Sequence, residues 1–119
     1  MENGDDKIHT VLEDMWVFSL YTNRWHKIYV NSDTNPSKRE SAIFLTARID
    51  RLAILFGGFY SDQIFNDMWQ YNLYTNMWQE FDPTVNNEHA ISSKPPGLKF
   101  ASGIGSSDRF LLYGGATWQ

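Results

Sequence analysis

The chain of 119 residues contains no cysteine, which removes disulfide frameworks, thiolate nucleophiles, iron–sulfur clusters and every cysteine-containing zinc site at once. Long apolar runs are also missing. The longest, Leu52 to Phe56, has five residues, against the roughly 20 needed to cross a bilayer as a helix, so no membrane segment is expected. Positive charge is in deficit: ten Lys and Arg against fourteen Asp and Glu leave a net charge of -4. That is the wrong sign for a surface that follows phosphates, and nucleic acid is not an expected partner. The N-terminal stretch MENGDDKIHT is acidic and polar where a secretory leader is basic and then apolar, and no Asn-x-Ser/Thr acceptor occurs. These features lead to the expectation of a cytoplasmic protein. Helical periodicity appears over no useful window. The three histidines, His9, His26 and His89, are not spaced as a metal pair, so neither a metal nor a cofactor is expected.

What the chain does have is apolar residues at 42%, among them five Trp, six Tyr and eight Phe, enough to build a core at this length. It also repeats itself. Glu13 to Tyr29 (EDMWVFSLYTNRWHKIY) aligns without gaps on Asn66 to Asp82 (NDMWQYNLYTNMWQEFD), with eight of seventeen positions identical, among them Asp14 with Asp67, Trp16 with Trp69 and Trp25 with Trp78. A second marker, DRLAILFGG ending at Gly57 and Gly58, returns as DRFLLYGG ending at Gly114 and Gly115. A third pairs Pro36 to Arg39 with Pro96 to Lys99, an offset of 60 residues. Three markers in the same order at a similar period constitute a structural repeat.

Each marker has strand character. Arg51 to Phe56 and its copy Arg109 to Tyr113 are short, nearly continuous apolar runs closed by a double glycine, the pattern of strands covered on both faces. Asp14 to Phe18 carries Trp16 and Phe18 on one face and Met15 and Val17 on the other. The following Leu-Tyr-Thr-Asn suits a hairpin turn, since Asn tolerates positive φ, and Trp25 or Trp78 then opens a further strand. The segments after Arg39 and Lys99 supply the remaining strand of each repeat. The expected class is all-β, in antiparallel four-stranded units of about 50 residues.

Together Gly57-Gly58, Asn66 to Trp69, Tyr71, Thr75-Asn76 and Trp78, with Gly114-Gly115 and Asp14 to Trp25, resemble the kelch repeat of β-propellers. The resemblance spans about residues 13 to 115. It departs from the family at the start of the first strand, where Arg39 and a small residue are present but the usual His is not. The acidic, polar composition of residues 1–12 reads as a lead-in, and the resemblance implies a propeller segment (13–119). In that segment 13–29 are strands three and four of one blade, 38–82 a full blade, and 97–115 strands one and two of another. This half, full and half arrangement amounts to about two blades of an incomplete ring, where propellers close with four to eight.

Candidate chemistry is sparse. Asp62, Asp67 and Asp82 are candidates for an acid/base pair, but the internal copy at Asp14 marks Asp67 as a structural cap on its strand. Glu2, Asp6 and His9 lie on a segment without apolar anchors. Gly103 to Asp108 lacks the third glycine and the helix of a phosphate loop and reads as a turn between strands. Gly57, Gly58, Gly114 and Gly115 are read as positions of positive φ or close approach, and Trp16, Trp25, Trp69 and Trp78 as core between blades. The loop after the second strand, Phe59 to Phe65, presents Tyr60, Asp62 and Gln63, and its partial counterpart presents Trp118. Aromatic and polar side chains on a connection held by a rigid scaffold suit protein recognition.

The resemblance therefore implies a non-catalytic interaction module, an adaptor, scaffold or substrate-recognition segment with a protein partner. The alternative is a fragment of a galactose-oxidase-like or sugar-processing propeller enzyme. The copper-radical site of that relative requires a cysteine crosslinked to tyrosine, so active residues of that kind would lie outside this segment. Uncovered sheet faces require either further blades in a longer chain or copies that associate into a ring.

Overall fold

The computed structural model describes residues 8–46, 51–81 and 94–117, and every regular element among them is a β-strand. Strands β1 (Met15–Ser19) and β2 (Arg24–Ile28) form an antiparallel hairpin. The central sheet contains β3 (Ile43–Thr46) and β4 (Leu52–Phe56), then β7 (Met68–Asn72) and β8 (Met77–Phe81), hydrogen-bonded in chain order and antiparallel throughout. Between β4 and β7 sits a small hairpin of β5 (Phe59–Tyr60) and β6 (Gln63–Ile64). A last hairpin joins β9 (Ser102–Gly105) to β10 (Phe110–Tyr113). The all-β antiparallel class expected from the sequence is present, including a four-stranded sheet; among the described residues the strands do not close into a ring.

The internal repeat is reproduced in the backbone. Met15↔Ile28 in the first hairpin corresponds to Met68↔Phe81 in the central sheet, and every other pair of β1 with β2 maps in the same way onto β7 with β8. Likewise Ile43↔Phe56 corresponds to Ser102↔Tyr113. Both Leu-Tyr-Thr-Asn turns end in an asparagine of positive φ, Asn23 at 57° and Asn76 at 56°. The turn is held in equivalent ways by different side chains. Ser19 Oγ accepts from the amides of Tyr21 and Thr22 (both 3.3 Å), and Asn72 Oδ1 accepts from those of Tyr74 and Thr75 (2.8 and 3.2 Å).

The double glycines also correspond, with φ of 74° and 91° at Gly57 and Gly58 and 76° and 95° at Gly114 and Gly115. A Cβ on Gly58 would lie 2.8 Å from the Glu40 carbonyl, and one on Gly115 3.0 Å from that of Lys99. These matched contacts correct the third marker by one residue. Ser41 (φ 60°) is equivalent to Phe100 (φ 61°), and the bridge Glu40↔Phe59 to Lys99↔Ala116. The residue in the place of Arg39 is therefore Leu98, not Lys99.

The central sheet lies between the two hairpins. One face carries Ala53, Trp69, Tyr71 and Trp78, against which Met15 and Ile28 of the first hairpin pack. Here Trp78 meets Tyr71 at 5.0 Å and Trp69 edge-on at 6.4 Å, favourable ring geometries. The buried Tyr71 hydroxyl donates to Asn76 Oδ1 at 2.7 Å, and burial raises its pKa above the ordinary phenol value. On the opposite face β9 crosses β3 so closely that a Cβ on Gly103 would lie 2.9 Å from Ile43 Cγ2.

Two expectations change. Gly103 and Gly105 belong to β9 rather than to a turn; the turn follows, closed by Ser106 N donating to Arg109 O at 2.8 Å. Of the four repeat tryptophans, Trp69 and Trp78 are core at 7% and 9% exposure, while Trp16 and Trp25 are 53% and 65% exposed. They occupy the same register positions, but among the described residues no sheet lies over the outer face of the first hairpin.

Candidate functional site

The sequence-predicted residues gather at the end of the central sheet where the double glycine turns the chain out of β4. Ser61, at φ 57°, reverses the chain between β5 and β6, and the pairing Tyr60↔Gln63 places these two side by side with Asp62 at the tip. All three are exposed. The hairpin is anchored beneath. Phe59 is tied to the lead into β3 by reciprocal hydrogen bonds with Glu40 (both 2.9 Å), and Phe65 N donates to Gly58 O at 2.9 Å. Its aromatic roots are Phe65, which is buried, and Phe59, 5.7 Å from the Phe100 ring.

Cations surround this hairpin. Lys38 Nζ stands 5.2 Å from the Tyr60 ring and Lys99 Nζ 5.2 Å from the Phe59 ring, both within cation–π range. His9 Nε2 lies 2.7 Å from Glu40 Oε2. The result is a mixed aromatic and charged rim mounted on a sheet end. Trp118, Asp82 and His89 lie outside the described residues.

The rim rests on a residue set that the repeat did not reveal. Arg39 sends two hydrogen bonds to Asp67 (2.6 and 3.0 Å), one to the Gly57 carbonyl (3.1 Å) and one to the Ser37 carbonyl (3.0 Å), and its guanidinium lies 4.0 Å from the Phe65 ring centre. Asp67 also accepts from Trp69 Nε1 at 2.7 Å. Burial opposes ionisation of Asp67, but the hydrogen bonds from Arg39 and Trp69 and the Arg39 charge outweigh it and hold the carboxyl below its ordinary pKa. The copy at Asp14 accepts from Trp16 Nε1 at 2.9 Å, the first cause of its lowered pKa. The contacts of Asp67 reach beyond a strand cap: it receives the indole of its own strand and the arginine that ties the lead into β3 to the end of β4. The signal available in the sequence was the single arginine before the first strand.

Among the described residues no three of His, Cys, Asp and Glu come together as a metal site, no buried side-chain nitrogen or oxygen lacks a hydrogen-bond partner, and no helix is long and apolar enough to cross a membrane. The chain matches no protein-family model and no characterised sequence at a significant level.

Proposed function

We propose that this chain is a segment of a kelch-type β-propeller and acts as a non-catalytic protein-interaction module, with the β5–β6 hairpin as its contact surface. One observation carries the reading: a four-stranded antiparallel sheet stands between two hairpins that reproduce the register of its outer and inner halves. Repetition of one such unit around an axis is the architecture of a propeller. The contact surface is supported by the anchoring of Phe59 and Phe65, which holds Tyr60, Asp62 and Gln63 outward at little conformational cost. Tyrosine flanked by a lysine and a carboxylate offers stacking, hydrogen bonding and charge in one small area, the composition of a protein contact.

The test is site-specific photocrosslinking. A benzoylphenylalanine replacing Tyr60 is expected to capture a discrete protein partner, and purified partner is expected to bind Tyr60→Ala or Asp62→Ala at least tenfold more weakly. A probe replacing Tyr21, on the turn of the first hairpin, serves as the control. Equal capture from both positions, or binding unaffected by both substitutions, refutes the assignment.

A further inference from the structure

We propose that the two half-sheets at the ends of the described fold are complementary, and that a second copy of this chain joins them head to tail. In the junction the free edge of β10 in one copy pairs antiparallel with the free edge of β1 in the next, giving a four-stranded sheet in the order β9-β10-β1-β2.

The central sheet supplies the template. β4 pairs with β3 on one side and β7 on the other, whereas among the described residues its counterpart β10 pairs only with β9; β7 pairs with both neighbours, whereas among the described residues its counterpart β1 pairs only with β2. The missing partner of β10 is therefore a strand like β7, and the missing partner of β1 a strand like β4. Each copy carries both. Transferring the β4–β7 register, in which Ala53 faces Tyr71 and Phe56 faces Met68, sets Phe110 opposite Phe18, Leu111 opposite Val17, Leu112 opposite Trp16 and Tyr113 opposite Met15 of the next copy.

Side chains agree with the backbone. The outward face of the first hairpin exposes Trp16, Phe18 and Trp25, and that of the last hairpin exposes Ile104, Leu111 and Tyr113. Each face of the central sheet also has an open groove next to its hairpin. Beside β10 the groove is lined by Leu52, Ile54, Met68, Gln70 and Phe81, where the docked first hairpin of the next copy lays Trp16, Phe18 and Trp25. Beside β1 the other is lined by Met15, Val30, Phe44, Leu55 and Trp78, where the last hairpin of the preceding copy lays Ile104, Leu111 and Tyr113. The equivalent contacts already exist within the chain, since Met15 and Ile28 cover Trp69, Tyr71 and Trp78. Such an interface is heterologous and propagates from copy to copy until the rotation closes. It is independent of recognition by the β5–β6 hairpin, which lies at the sheet end and not on these edges.

The absence of native cysteine makes the test clean. Val17→Cys and Leu111→Cys proteins, each with a different affinity tag, are mixed and oxidised with glutathione disulfide. Directly opposed strand residues lie within disulfide reach. The expected product is a dimer containing one of each, at least tenfold over either same-variant dimer and over a mixture of Val17→Cys with Tyr113→Cys, which is two positions out of register. In parallel, sedimentation of the unmodified chain is expected to show mass rising with concentration, and Trp16→Asp or Leu111→Asp each to abolish the rise with the β-sheet circular dichroism retained. Mixing these two variants restores a dimer and nothing larger, because each retains one intact edge. A chain that stays monomeric at every concentration, or crosslinks without preference for the in-register pair, overturns the proposal; if an aspartate variant does not fold, the cysteine mixture still decides it.

Discussion

Replacing Arg39 with methionine removes a cation that connects three separate parts of the central unit while leaving an apolar stem against Phe65. The Arg39 side chain is 4% exposed and Asp67 23%, so the pair is largely withdrawn from water. Breaking a buried ion pair by deleting one partner costs about 3–5 kcal/mol. Asp67 retains its bond from Trp69 and some access to water, which places the expected loss near the lower limit, about 3 kcal/mol. A single domain is stable by about 5–15 kcal/mol, so this loss is large and readily measured by urea denaturation at fixed protein concentration. A cycle with Arg39→Met, Asp67→Asn and the double variant is expected to give a coupling of at least about 1.5 kcal/mol. The pH dependence has a definite sign. The carboxyl of Asp67 is held below its ordinary value, which is about 3.9 in the unfolded chain. Its contribution is therefore complete above that value and lost as pH falls through the folded pKa, and the stability gap between the native chain and Arg39→Met narrows below about pH 4. A coupling under about 0.5 kcal/mol, or a gap that widens on acidification, refutes the assignment of Arg39 and Asp67 as the tie between these elements.

The two double glycines separate strain from steric conflict. Gly57→Ala, at φ 74° and with its new Cβ 2.8 Å from the Leu98 carbonyl, is expected to lower stability by at least about 2 kcal/mol. Gly114→Ala shares the φ but meets nothing within 4 Å, so urea midpoints should show about half that loss. The two turn asparagines differ similarly. Asn23→Gly keeps a residue suited to φ 57° and is expected to be near neutral, whereas Asn76→Gly leaves the Tyr71 hydroxyl without its acceptor and costs about 1–2 kcal/mol. Thermal unfolding of both, with equal losses, would contradict this reading. The exposed edge of β8 is covered by Asn31 N donating to Asn76 O and by Ser32 Oγ accepting from Trp78 N. Ser32→Ala is therefore expected to speed hydrogen exchange at the Trp78 amide, by roughly tenfold for a bond of about 1.4 kcal/mol.

Features governed by local geometry were legible in the chain itself. The asparagines of both Leu-Tyr-Thr-Asn turns suit positive φ and the double glycines suit positive φ or close approach, because few residues adopt that conformation without strain; the backbone has positive φ at each, and all of the glycines but Gly114 also meet a close neighbour. The strands other than β5 and β6, which read as a loop, were legible from short apolar runs punctuated by those turns. The Arg39–Asp67 tie was not, because its members are 28 residues apart and the place of Arg39 in the second copy is taken by Leu98. Recurrence along the chain does not mark an interaction made once. The rim of Tyr60, Asp62 and Gln63 was found as a loop, but its lysine neighbours, Lys38 and Lys99, arrive from segments distant along the chain.

Sequence alone determined the all-β class, the repeat and the two Leu-Tyr-Thr-Asn turns, since all of these follow from periodicity and from residues with special backbone freedom. It did not determine which tryptophans would be core. Trp16 and Trp69 follow the same aspartate, donate to it in the same way and occupy the same register position, yet one is half exposed and the other buried. Gly57 and Gly114 share a backbone conformation, yet only one is closed in by a neighbouring segment. The difference lies in whether another sheet stands over the residue, and that is decided by the stacking of units in space, a relation that equivalent residues in a repeat do not encode individually.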